Sequence, residues 1–184
     1  MTAEVWEARL SAAAARFPRI LTPSLVDRLH RLSRMVEPAI ESLQRRDLCW
    51  IHGDAHLDNL LFRPDGTAVL LDWSGASVGP PAVDLARLLT EGVHAGARSE
   101  LATELIVAYE KELAMFEAAG LIVDPWAALS DGLALLVQAS IAWAARDEAR
   151  EPHGRMRALQ ENLLRSVCAW ASNEQMNEPG RIFA

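Results

Sequence analysis

The 184 residues are 51% apolar and carry a formal net charge of −7, enough apolar material for one buried core and a charge balance opposed to nucleic acid, whose phosphates call for clustered Arg and Lys. That acidic balance serves solubility and equally suits a cationic small molecule. Cys49 and Cys168 lie far apart in apolar stretches without metal or redox spacing, and the N-terminus lacks a signal peptide's basic start and unbroken apolar run, so a cytoplasmic protein with reduced thiols is expected.

Residues 3–16 form an Ala-rich amphipathic stretch, predicted to be helical. Thr22 and Pro23 make an N-cap and first-turn pair that opens a second helix running toward Arg46. Leu25, Leu29, Leu32, Val36, Ile40 and Leu43 recur at three- and four-residue spacing along it, one apolar face, and Pro38 is expected to bend it. Residues 48–51, 59–62 and 68–71 are apolar runs too short for helices. The last two flank the turn Arg63-Pro64-Asp65-Gly66-Thr67 and read as a hairpin. After Gly75, Gly79, Pro80 and Pro81 the pattern returns to helix over 82–91, 98–119, 125–146 and 154–172, with Gly120 as a stop and Asp124-Pro125 as a start. Residues 173–184 form a polar tail expected to fray. The apolar run 132–145 contains Gln138 and is shorter than the roughly 20 residues of a membrane span, so no membrane partner is expected.

Between the first strand and the hairpin stands His52-Gly53-Asp54-Ala55-His56-Leu57-Asp58-Asn59, and the hairpin closes on Asp72-Trp73. An antiparallel hairpin brings Asn59, at the start of its first strand, to the same end as Asp72, at the close of its second.

These segments resemble the catalytic and metal-binding segments of the aminoglycoside phosphotransferase and choline kinase-like family, relatives of the protein kinases. The resemblance implies an α+β, mainly helical chain with the large, C-terminal lobe of a protein kinase-like fold over residues 1–172, built around a short catalytic β-hairpin. It implies transfer of the γ-phosphoryl group of ATP, with Mg2+, to a hydroxyl of a small molecule such as an aminoglycoside. Asp54 would be the catalytic base, and Asn59 and Asp72 the metal ligands. His52 would organise the loop, Gly53 would allow its tight turn, and His56 matches a frequent choice in these kinases and is read as a structural histidine that supports the loop rather than a catalytic one. Asp84, in Gly79-Pro80-Pro81-Ala82-Val83-Asp84-Leu85-Ala86-Arg87, resembles the residue that anchors the loop through backbone hydrogen bonds; otherwise it is a first-turn carboxylate favoured by the helix dipole. Asp58 stands where the family often has glycine and is read as pointing to solvent. Ser74 replaces the second acid that many relatives carry after the Asp-Trp pair.

Such phosphotransferases also use a glycine-rich phosphate loop and a strand lysine. The residues before His52 contain no G-x-G signal, and the one lysine is Lys111. The chain is therefore expected to take its small lobe from a partner chain or from upstream sequence, or to be a truncated gene product, or else to be a catalytically weak remnant that self-associates or serves as a binding module through exposed apolar surface. The alternation of His52, Asp54, His56 and Asp58 also suits zinc, a reading that leaves Asn59 and Asp72 without a role. The acids Asp131, Asp147 and Glu148 are candidates to receive a substrate amine.

Overall fold

A computed structural model describes residues 2–46, 48–92, 98–115, 125–146 and 155–171. The chain is mainly helical. Helix α1 spans Ala3–Arg16, α2 Pro23–Gln44, α3 Ala82–Gly92, α4 Arg98–Met115, α5 Pro125–Ala144 and α6 Arg155–Ala171. Four three-residue strands, β1 (Cys49–Ile51), β2 (Leu60–Phe62), β3 (Ala68–Leu70) and β4 (Ser77–Gly79), form two antiparallel pairs. The stop at Gly120, the start at Asp124 and the tail 173–184 lie outside the described residues.

Local signals set the helix starts. Thr22 sits at the N-cap of α2 in extended geometry with Pro23 at the first turn, and Thr2 caps α1 by accepting the Val5 amide. The α2 face buries Leu25, Leu29, Leu32, Val36, Ala39 and Leu43. At the penultimate position the small Ala39 is buried and Ile40 only half-buried, because a 3.6-residue period reaches both and packing chooses between them. The helix passes through Pro38 without interruption.

Helix α5 is the centre of the packing and touches α1, α2, α3 and α6. Its fully buried Leu129, Leu133, Val137 and Ile141 meet Leu10 of α1, Leu29 of α2, Leu89 of α3 and Leu164 of α6 in one core. Truncating any of these leucines to Ala would cost about 2–5 kcal/mol. By length and composition the segment Ala127–Ala144 of α5 is apolar enough to cross a membrane, a longer stretch than the run 132–145 suggests, yet 56% of it is buried against the surrounding helices. The last carbonyls of α5 are held by neighbours: Arg16 Nη1 donates to Ala144 O at 2.9 Å and Gln160 Nε2 to Trp143 O at 2.9 Å.

Gly132 lets α3 come close to α5, since a Cβ there would meet the Ala82 carbonyl oxygen at 2.6 Å. Helix α3 is thereby fixed against the core, and Ser166 of α6 donates to the Thr90 carbonyl at 2.6 Å on its other side. The hairpin forms as its turn chemistry dictates: Asp65 accepts the Thr67 amide, Gly66 takes a positive φ of 85°, and Leu60 pairs with Leu70. The pairing of β1 with β4, Cys49 opposite Gly79, was not anticipated from sequence. It joins the strand entering the loop at His52 to the strand leading into α3.

Candidate active site

The segment His52–Asn59 leaves β1 and lies across the start of α3. His52 is buried at 2% exposure, with both ring nitrogens engaged. Its Nδ1 accepts the Asp54 amide at 3.3 Å, so the proton sits on Nε2, which donates to the Leu71 carbonyl at 2.7 Å. The Trp73 ring meets the imidazole edge-on, centroids 4.8 Å apart. Gly53 adopts a φ of 77°, and a Cβ there would run into the Gly75 carbonyl oxygen.

Asp84 receives two backbone hydrogen bonds from this loop, from the amides of His52 at 2.6 Å and Gly53 at 2.9 Å. One ionised carboxylate thus satisfies two adjacent donors that the turn strips from any strand. The turn Leu57–Asn59 continues from His56 as a short 3-10 segment, so Asn59 precedes the first strand rather than opening it. The Asn59 side-chain amide donates to the Asp54 carbonyl at 2.9 Å and faces Asp54 Oδ2 at 3.3 Å and His56 Nε2 at 3.2 Å. The Asn59 carbonyl accepts the Leu71 amide at 2.8 Å, which extends the hairpin ladder and sets Asp72 next to the Asn59 end.

Asp72 has φ 54° and ψ 69°, the one left-handed non-glycine among the described residues. Asp tolerates this region better than most residues, and held strain of this kind gathers at functional sites. Its Oδ1 accepts the Ser74 amide at 3.3 Å. Hydrogen bonds from Ser74 hold the exposed carboxyl below the usual aspartate range, and the nearby His52 and His56 act in the same direction. Asp58 is exposed.

Arg87 and Glu91 complete the site, and sequence reading gave neither a role. Arg87 Nη2 lies 2.7 Å from Asp54 Oδ1 and Arg87 Nε 3.0 Å from Glu91 Oε1, both charge contacts outside hydrogen-bond geometry. Burial pushes the Glu91 carboxyl up, partly offset by Arg87 and His56, while Asp54 and Asp58 add to the rise. A signal for both was in the spacing, since Asp84, Arg87 and Glu91 recur three and four apart and so share one face of α3. The acid Asp131, in contrast, is taken by Arg46 at 3.5 Å on another part of the chain, and Asp147 and Glu148 lie outside the described residues.

A profile of the phosphotransferase enzyme family matches residues 2–121, which take in the whole loop, the hairpin and α3. The chain belongs to the phosphotransferase enzyme family. None of the curated proteins and none of the solved structures compared with it matched. In this phosphotransferase the donors near the loop suit a hard cation better than zinc. Asn59 Oδ1 takes no hydrogen bond among the described residues, and Asp72 keeps its second carboxylate oxygen clear. Oxygen ligands of this type fit Mg2+. His52, with both nitrogens occupied, has none left for a metal, and no cluster of three or more His, Cys, Asp and Glu close enough to chelate occurs among the described residues.

Proposed function

We propose that the phosphotransferase moves the γ-phosphoryl group of ATP to a hydroxyl of a small molecule, with Asp54 as the base and Asn59 and Asp72 as the Mg2+ ligands, on the large lobe of a protein kinase-like fold. The observation that carries this reading is the convergence at Asp54: the Asn59 amide lies on its carboxylate and carbonyl while the hairpin bond from Leu71 to Asn59 delivers Asp72 beside them.

Asp54 accepts the hydroxyl hydrogen and orients the oxygen toward phosphorus; a P–O bond forms to that oxygen, the bond to the bridging oxygen breaks, and ADP leaves. Magnesium supplies charge neutralisation at the phosphate oxygens when bound. Asn59 would serve this arrangement twice, its NH2 steadying Asp54 and its Oδ1 available to hold the cation. The acceptor is an alcohol, and the net charge of −7 favours a cationic one such as an amino alcohol.

Calorimetric titration with ATP and Mg2+ tests the reading. The wild-type chain binds, Asp72→Ala loses the Mg2+-dependent part, and Asp54→Asn keeps binding while transfer falls by about 10²- to 10⁴-fold. Transfer by Asp54→Asn at the wild-type rate would overturn the assignment.

A second reading, a catalytically weak lobe that works as a binding or assembly module, draws on one observation. Trp50 is 76% exposed, Phe62 63% and Val78 59%, all on the small strands beside the loop. Such an apolar surface fits a second body, a small-lobe partner chain or another copy. Sedimentation of the purified chain decides it: a monomer that turns over ATP and an acceptor alone removes this reading.

A further inference from the structure

The loop is docked on a single face of α3. Asp84 holds the backbone of His52 and Gly53, and one turn further along Arg87 reaches the carboxylate of Asp54, with Glu91 one turn beyond contacting Arg87. The Asp84 bonds fix the main chain and leave the Asp54 side chain free to turn about its own bonds. Something else must set it. On one side Asn59 and His56 lie 3.3 Å from Oδ2; on the other, Arg87 lies 2.7 Å from Oδ1.

We propose that Arg87 is a positioning residue that fixes the plane of the Asp54 carboxylate in the orientation in which it meets the acceptor hydroxyl. The inference rests on the reading of Asp54 as the base. Three features carry it beyond an ordinary surface ion pair. Arg87 is 25% exposed and Asp54 39%, so the pair is partly withdrawn from water and gains more than a solvated one. The guanidinium approaches the carboxylate to 2.7 Å, closer than the 3.3 Å contacts of Asn59 and His56 with it. Arg87 is itself held, its Nε against Glu91, on a helix whose position is locked where Gly132 admits the Ala82 carbonyl and Ser166 grips Thr90.

A carboxylate offers about four lone-pair directions. Arg87 lies against Oδ1 in a charge contact, and the Asn59 and His56 contacts lie on Oδ2, which leaves directions open to a substrate hydroxyl. Arg87 thus orients Asp54 without covering it.

Two measurements on Arg87→Gln and Arg87→Lys test this. The first needs no acceptor. Amide hydrogen exchange should keep wild-type protection at His52, Gly53, Asp54 and Asn59, whose amides are held by Asp84, His52 Nδ1 and His56 O and not by Arg87. Loss of protection at these amides would show that Arg87 supports the backbone of the loop and would overturn the positioning role. The second is steady-state transfer to an alcohol acceptor found by screening. Arg87→Gln should lower kcat by about 10²-fold, the scale of a misplaced reacting group, with the KM for ATP unchanged, and Arg87→Lys should recover part of it. A wild-type or raised kcat in Arg87→Gln overturns the inference. Asp54→Asn separates the two ideas: an active Asp54→Asn enzyme removes the base assignment itself, whereas an inactive one beside a fully active Arg87→Gln removes only the role of Arg87.

Discussion

His52 Nε2 donates to the carbonyl of Leu71 at 2.7 Å, and this one bond ties the loop that carries Asp54 to the strand that delivers Asp72. The two halves of the site are far apart in sequence and belong to different strand pairs. Their alignment depends on a buried ring satisfied at both nitrogens. Replacement His52→Phe keeps an aromatic ring against Trp73 but strips partners from Leu71 and from the Asp54 amide. A loss of about 1–3 kcal/mol in urea unfolding is expected. A variant as stable as wild type would show that water replaces the ring without cost.

Asp84 anchors the same loop through charge rather than packing. Asp84→Ala leaves two adjacent amides without their acceptor and should cost about 3 kcal/mol, while Asp84→Asn retains one acceptor oxygen and should cost about half as much. Equal losses for the two variants, measured by denaturant midpoints, would show that the ionised group and not the count of acceptors matters.

Two glycines share a positive φ and differ in their surroundings. At Gly66 an added Cβ meets nothing within 4 Å, whereas at Gly53 it strikes the Gly75 carbonyl. Gly66→Ala should therefore cost about 1 kcal/mol, from the backbone alone, and Gly53→Ala about 2–4 kcal/mol. The comparison is read from paired unfolding curves, and equal costs would mean that the loop yields to the methyl group.

Burial pushes the Cys168 thiol up from 9.0 to about 12 and the Tyr109 hydroxyl up from 10.0 to about 12. Both are neutral acids held protonated in the folded chain, so the unfolded chain releases its protons first as pH rises. Their contribution is fully present below the ordinary thiol value and is lost between about pH 9 and 12. Urea midpoints should hold steady to about pH 9 and fall above it, with a smaller fall in Cys168→Ala. A midpoint unchanged at about pH 11 would contradict this.

Much of this chain could be read along its length because the signals are local. The start of α2 at Thr22 and Pro23, the extent of α1 and the turn at Asp65 and Gly66 depend on residues a few positions apart. The convergence of Asp54, Asn59 and Asp72 at one end of the hairpin was likewise legible, since one loop and one hairpin carry them and hairpin pairing follows from turn length. Other features needed the third dimension. Period alone reached Ala39 and Ile40 alike, and packing buried Ala39. The three-residue strands β1 and β4 carry too little pattern to announce each other across the hairpin between them. Arg87 shares a helical face with Asp84 in any helix containing both, but spacing does not say what that face meets. That was decided by how closely α3 approaches α5 at Gly132, which turns the face onto the loop and brings Arg87 to Asp54. Sequence thus supplied the loop residues and their local frames, and the packing of helices supplied the cation that meets Asp54, because a charge finds its counter-ion through space and not along the chain.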